Sequence, residues 1–308
     1  MKSLVTGGAG FLGSHLVDAL LEAGQRVVVL DNLRRGRLEH LRDCDALSVQ
    51  IDDVRDYGAV VRATEGVEVV YHLAAQSNVI GAGLDLDYSF TTNVLGTFNV
   101  LKAAAEVGAR RVVFASSREV YGEPARLPVH ESAALAPKNA YGASKLAAEA
   151  YCRVWQQTTG VDCVVLRFVN LYGPRDRDRV IPNWLAQARA GEHLTLYGGD
   201  QVLDFLWVGY AVKALLAATH SGGDAPVNVG SGRGTSLRDL ADRIRVITQT
   251  RSAVRFLPER DVEVVRFVAD VGRMQRILGV EPRNEPLDHL ATMSNRATEP
   301  IFRTRCGN

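Results

Sequence analysis

Residues 3–13 read Ser3-Leu4-Val5-Thr6-Gly7-Gly8-Ala9-Gly10-Phe11-Leu12-Gly13, so a short strand-like run, a glycine-rich turn and the start of an amphipathic helix follow one another without a spacer. Few folds accept that order. Gly7 permits the sharp turn, Gly10 lets the backbone approach a ligand closely, and Gly13 lets the new helix pack tightly against the strand it leaves. The run recurs in weaker form. Ser3–Val5, Arg26–Leu30, Leu47–Ile51, Val67–His72, Arg111–Ala115 and Asp162–Phe168 are predicted strands. Helical patterns fall between them, at Phe11–Ala23, Phe90–Val107 and Ala140–Thr159. Continuous apolar strands separated by helices predict an α/β fold, a doubly wound parallel sheet of the Rossmann kind buried on both faces.

In that fold the turn after the first strand holds a pyrophosphate at a helix N-terminus, where unpaired N–H groups and the helix dipole favour negative charge. Asp31 closes the second strand, where a carboxylate accepts hydrogen bonds from a ribose and repels a 2′-phosphate. NAD is therefore the expected cofactor, although Arg34 and Arg35 are positioned by sequence to pair with such a phosphate.

Composition narrows the rest. With 308 residues and a formal net charge of +1, the chain has no global basic field for nucleic acid. No apolar run approaches the roughly 20 residues of a membrane helix, and nothing before Gly7 resembles a signal peptide. A cytoplasmic protein is expected, with neither nucleic acid nor membrane as partner. Cys44, Cys152, Cys163 and Cys306 lack metal-site spacing, so no metal is expected. Residues 1–170 should form the NAD-binding domain and 171–293 mainly a smaller α/β substrate lobe with some return to the sheet. A tail from Ser294 carries Arg296, Arg303 and Arg305.

Tyr141-Gly142-Ala143-Ser144-Lys145 opens a predicted helix, with Tyr141 and Lys145 four apart on one face. A phenol of pKa ~10 is a poor base at neutral pH. An ammonium and a positive nicotinamide nearby favour the phenolate, so that Tyr141 can take a hydroxyl proton as hydride leaves the same carbon.

With these motifs together, the chain resembles the extended short-chain dehydrogenase/reductases, in their NAD-dependent nucleotide-sugar epimerase and dehydratase group, over roughly residues 2–290. The resemblance implies a cofactor set of Gly7, Gly10, Phe11, Leu12, Gly13, Asp31, Asn32, Asp53, Val54, Leu73, Ala74, Ala75, Asn93, Tyr141 and Lys145. Asp53-Val54 matches the family's adenine contact, and Leu73-Ala74-Ala75-Gln76 follows the fourth strand. It also implies that Ser117 hydrogen-bonds the hydroxyl being oxidised, and that Gln76, Arg118, Asn170, Arg175 and Arg260 meet the substrate. That substrate is a nucleotide-sugar, UDP-linked by expectation, and the implied assembly is a homodimer joined through the helices of Asn93 and Tyr141.

The fate of the 4-keto sugar divides the group. Dehydratases resemble Thr-Asp-Glu-Val-Tyr-Gly, with Glu removing the C5 proton and Asp protonating the C6 leaving group. This chain reads Ser117-Arg118-Glu119-Val120-Tyr121-Gly122. Glu119 occupies the base position, so a dehydratase giving a 5,6-ene or a 4-keto-6-deoxy sugar ranks first. Arg118 replaces the acid and cannot act as one. A 4-epimerase ranks second, with Glu119 a structural acid paired to an arginine. A UDP-glucuronate decarboxylase ranks third, with Arg118 or Arg175 on the uronate carboxylate. A non-catalytic NAD-binding scaffold would predict damage to the Ser–Tyr–Lys set, which is intact. Leu203 and Tyr210 depart from the family pattern, Leu203 standing where a phosphate-binding arginine is usual.

Overall fold

The computed structural model describes residues 1–222 and 225–295; Arg296, Arg303 and Arg305 of the expected tail lie outside them. Six strands arise where the β-branched runs predict them: β1 (Lys2–Thr6), β2 (Arg26–Asp31), β3 (Leu47–Ile51), β4 (Val69–His72), β5 (Arg111–Ser117) and β6 (Asp162–Phe168). They are followed by β7 (Asn170–Tyr172), β8 (Leu194–Tyr197), β9 (Val202–Trp207), β10 (Val227–Val229), β11 (Gly234–Ser236), β12 (Val254–Leu257) and β13 (Arg266–Phe267). The main sheet is seven-stranded, in the order β10-β6-β5-β4-β1-β2-β3, with every pairing parallel. Strand order reverses between β1 and β4, the crevice where doubly wound sheets bind ligands.

The helices are α1 (Phe11–Glu22), α2 (Tyr57–Thr64), α3 (Val79–Leu84), α4 (Leu86–Phe90), α5 (Gly96–Glu106), α6 (Ala140–Thr159), α7 (Val180–Arg189), α8 (Val208–Ala218), α9 (Leu237–Thr248) and α10 (Leu290–Asn295). One face of the sheet buries Val5, Val29, Tyr71 and Val113 against α1 and α8. The other buries Leu4, Val70, Val112 and Phe114 against α2, α5 and α6. At about 25 cal/mol per Å2 each such side chain contributes roughly 1.5–3 kcal/mol. The central strands are therefore apolar on both faces rather than alternating, while the edge strand β3 leaves Val49 and Ile51 exposed.

The helix predicted across 90–107 is not uniform. A π-helical segment, Thr91–Leu95, separates α4 from α5 and carries Asn93. Such widened turns recur at functional sites because they re-aim one side chain without ending the helix. Beyond β6 the smaller lobe packs α7 against β8 and α9, and α9 against β11, around Trp184, Phe205, Leu240 and Ile244. β10 returns to the main sheet beside β6, so the two parts share a framework. Among the described residues no helix is long and apolar enough to cross a membrane, and no cluster of His, Cys, Asp or Glu could hold a metal.

Candidate active site

The C-terminal ends of β1, β2, β4, β5 and β6 open into one cleft of about 1320 Å3 that continues over the smaller lobe. Single-ligand pockets run to ~300–1,000 Å3, so this volume suits a dinucleotide and a second nucleotide together. Of the residues singled out from sequence, Gly7, Gly10, Phe11, Leu12, Gly13, Asp31, Asn32, Val54, Leu73, Ala74, Ala75, Gln76, Ser117, Arg118, Glu119, Tyr141, Lys145, Asn170, Arg175 and Arg260 all line it. Asp53 and Asn93 stand behind the wall, each bonded to a residue that faces the cleft.

The glycine turn fits a dinucleotide. Gly7 has φ +70°, and a Cβ there would lie 2.8 Å from the Ala74 amide nitrogen. A Cβ on Gly13 would collide with the Gly7 carbonyl oxygen. The first turn of α1 holds no acidic residue, which leaves its N–H groups for a pyrophosphate. Asp31 accepts from the Ala9 and Leu33 amides at 2.9 and 2.8 Å, and burial raises its pKa despite those bonds. Asn32 donates to Asp53 at 2.8 Å, and Asn99 donates to the Val54 carbonyl at 3.0 Å, so the Asp53–Val54 turn is braced from two sides. Arg34 lies over the Tyr88 ring at 3.7 Å and 3.9 Å from Asp85, while Arg35 meets Asp178 at 3.4 Å. Both arginines that could have met a 2′-phosphate already face carboxylates.

At the reacting corner, α6 presents Tyr141 and Lys145, and β5 ends at Ser117. Asn139 caps α6, its Oδ1 accepting from the Gly142 amide at 2.8 Å, which sets the helix start where Tyr141 can enter the cleft. The Tyr141 phenol stands at about 12: burial raises it most, a hydrogen bond with Ser117 and the charges of Arg179 and Arg118 hold it down in part, and Glu119 adds to the rise. Burial lowers the Lys145 ammonium to about 8, and its Nζ donates to the Ala115 carbonyl at 2.8 Å. The cations acting most on the phenol are thus Arg179 and Arg118, with Lys145 turned towards the strand. Arg179 had no motif to announce it; it precedes α7 and reaches the cleft only through the fold.

Asn93 accepts from the Gln76 amide at 2.7 Å and donates to the Ser144 hydroxyl at 2.8 Å, tying the loop after β4 to α6. Glu119 is 5% exposed. Its Oε1 lies 3.0 Å from Arg118 Nη2, and its Oε2 accepts from Asn139 at 2.8 Å. Arg175 turns from the sugar end to Asp18 of α1, at 2.9 Å, and so joins the two lobes. Arg260 stacks on Tyr197 at 3.4 Å and pairs with Glu263 at 3.1 Å at the far end of the cleft.

A dinucleotide cradle that runs into a Ser–Tyr–Lys corner defines an enzyme that oxidises and reduces a carbinol carbon. Residues 3–230 match the model of the NAD dependent epimerase/dehydratase family, and the chain belongs to that family. A UDP-glucose 4-epimerase of Mycolicibacterium smegmatis is 34% identical over 92% of this chain and 94% of its own length. The Thermotoga maritima UDP-glucose 4-epimerase, solved with UDP-glucose, superposes with a TM-score of 0.91 at 31% identity, covering 97% of each chain. MoeE5, solved with UDP-glucuronic acid and NAD, gives 0.87 at 32% identity over 95% of this chain and 97% of its own. The protein is an NAD-dependent enzyme of the nucleotide-sugar epimerase and dehydratase type.

Proposed function

We propose that the protein is a UDP-sugar 4-epimerase. The observation that carries this reading is the engagement of Glu119, whose two carboxylate oxygens are held by Arg118 and Asn139. Elimination needs a carboxylate free to take the C5 proton, and an acid near C6; Arg118 cannot supply the acid. Epimerisation needs neither.

Bound NAD supplies the hydride acceptor and donor. Ser117 and Tyr141 hold the C4 hydroxyl, and Tyr141 accepts its proton. With its folded-state pKa raised to about 12, chiefly by burial, Tyr141 starts protonated at neutral pH. Tyr141 would give up its proton more readily with a positive nicotinamide held in the cleft, which would lower that value. Lys145 fixes the end of β5 through Ala115, and so sets the distance between Ser117 and Tyr141. Asn170 and Arg260 lie along the cleft where the sugar and nucleotide would extend.

A second reading, 5,6-elimination, has one observation in its favour: Glu119 lies in the cleft wall beside Ser117. Proton NMR of UDP-sugars incubated in deuterated water separates the two. The epimerase reading expects C4 epimers without deuterium at C5. Exchange at C5 or vinyl signals would replace it with elimination.

A homodimer is part of the same proposal. Leu95, Tyr151 and Val154 are 41%, 41% and 50% exposed around the α5–α6 face, beside the Phe98–Trp155 pair. An apolar stripe of that kind on two neighbouring helices suits a four-helix contact between copies.

A further inference from the structure

We propose that the sugar this cleft is built for carries a carboxylate at C6, and that Arg118 is the residue that reads it. The inference rests on the 4-epimerase reading of the same corner. Arg118 is 8% exposed and follows Ser117 directly, at the start of the short 3-10 turn Arg118–Tyr121. Its Nη2 faces Glu119 at 3.0 Å and Asn170 at 3.5 Å, while its Nη1 is buried with no hydrogen-bond partner in the protein. A guanidinium has several donors in a rigid fork, and leaving one of them unpaired in an interior is costly. Phe267 lies against the guanidinium, 5.6 Å from Cζ to ring centroid, and offers no acceptor. The side chain lines the cleft, where a ligand's acceptor can take the place of water as its partner.

Position decides which part of a ligand that is. Ser117 and Tyr141 hold O4, and C6 is attached to the neighbouring ring carbon, within reach of the residue next to Ser117. A hydroxymethyl group there offers one neutral acceptor; a carboxylate matches the fork and the charge. The local charge agrees. Arg175 is paired with Asp18 and Arg179 with Asp176, whereas Arg118 shares Glu119 with Asn139 and keeps Nη1 without a partner.

The pairing also explains how carbon would be retained. A 4-keto uronate can break its C5–C6 bond, releasing carbon dioxide as the carboxylate's electron pair moves through C5 to the C4 carbonyl oxygen. An arginine on the carboxylate holds negative charge where it is and opposes that movement. Hydride then returns to C4, Tyr141 gives back its proton, and the uronate leaves as its C4 epimer.

The test compares UDP-glucuronate with UDP-glucose, by calorimetric binding and by NMR of the products, using wild type, Arg118→Met, and Arg118→Met combined with Glu119→Gln. The double variant removes both charges of the pair and guards against a fold lost to an unpaired Glu119. Wild type is expected to bind the uronate ~10–100-fold more tightly, as a charge-assisted pair implies, and both variants should lose most of that preference. Equal binding of the two sugars, or a preference that survives in a folded variant, would overturn the assignment. Release of carbon dioxide by wild type would overturn the carbon-retaining role. If the uronate binds in an Arg118-dependent way yet neither sugar is epimerised, the carboxylate assignment stands and the epimerase reading falls. If UDP-glucose is epimerised and the uronate is not preferred, the reverse holds.

Discussion

Behind the reacting corner lies an ion pair that reaches both halves of it. Arg167 of β6 is 3% exposed and grips Glu149 of α6, with Nε 3.0 Å from Oε1 and Nη2 2.6 Å from Oε2. Ser116, next to Ser117, donates to the same carboxylate. Arg167 Nη1 donates to the Tyr121 hydroxyl at 2.8 Å, and that hydroxyl donates to Asn228 at 2.7 Å. Glu149 follows Lys145 by one helical turn, so the pair anchors the helix of Tyr141 and the strand of Ser117 together. Removing one partner leaves a buried charge alone, so Glu149→Ala should cost about 3–5 kcal/mol. For a chain of this length that lowers Tm by roughly 5–8 °C. Replacing both by apolar residues, Glu149→Leu with Arg167→Met, should recover most of the stability, because a well-packed apolar pair is often neutral or better. It should not recover turnover. With Ser116 unanchored and Tyr121 held by Asn228 alone, Ser117 drifts relative to Tyr141, and a misplacement of ~1 Å costs on the order of 100-fold in kcat. Calorimetry and steady-state kinetics on the two variants decide the matter, with KM expected to move little. A double variant with wild-type kcat would refute the argument and reduce the pair to scaffolding. A Glu149→Ala protein with unchanged Tm would refute its electrostatic half.

Two further outcomes follow from the same geometry. Gly13→Ala pushes a methyl into the Gly7 carbonyl and should weaken NAD binding by at least about 10-fold, read by fluorescence titration; unchanged affinity would show that the turn has room to adjust. Burial lowers His72 to about 3, so the folded chain keeps it neutral while the unfolded chain protonates it near 6.5. Its contribution is complete above pH 6.5 and falls as pH drops towards 3, a loss of about 2 kcal/mol by pH 5. Asp176 and Asp204, raised to about 6 by burial, take up protons in the folded chain over the same range and oppose that trend. The measurement is therefore a difference: denaturant unfolding of wild type against His72→Asn at pH 7 and pH 5. Identical pH dependence in the two proteins would contradict the assignment.

Sequence alone determined the parts of this protein that depend on near neighbours. The six β-branched runs became the first six strands, and the glycine spacing at residues 7–13 became the cradle, because both are set by backbone sterics and by apolar periodicity over a few residues. Tyr141 and Lys145 were legible for the same reason, sharing a helix face four residues apart. Residue types also marked Glu119 and Arg118 as candidate site residues. Their partners were beyond reach of any local pattern. Glu119 is held by Asn139, twenty positions on; Arg175 is drawn to Asp18, which is 157 positions away. Asn93 sits on a widened turn inside what reads as a continuous helix, and Arg179 reaches the cleft only because α7 starts where it does. A buried charge is paired with whatever the chain's path brings beside it, and only the tertiary structure could decide that Glu119 is held by Arg118 and Asn139, and Asp18 by Arg175.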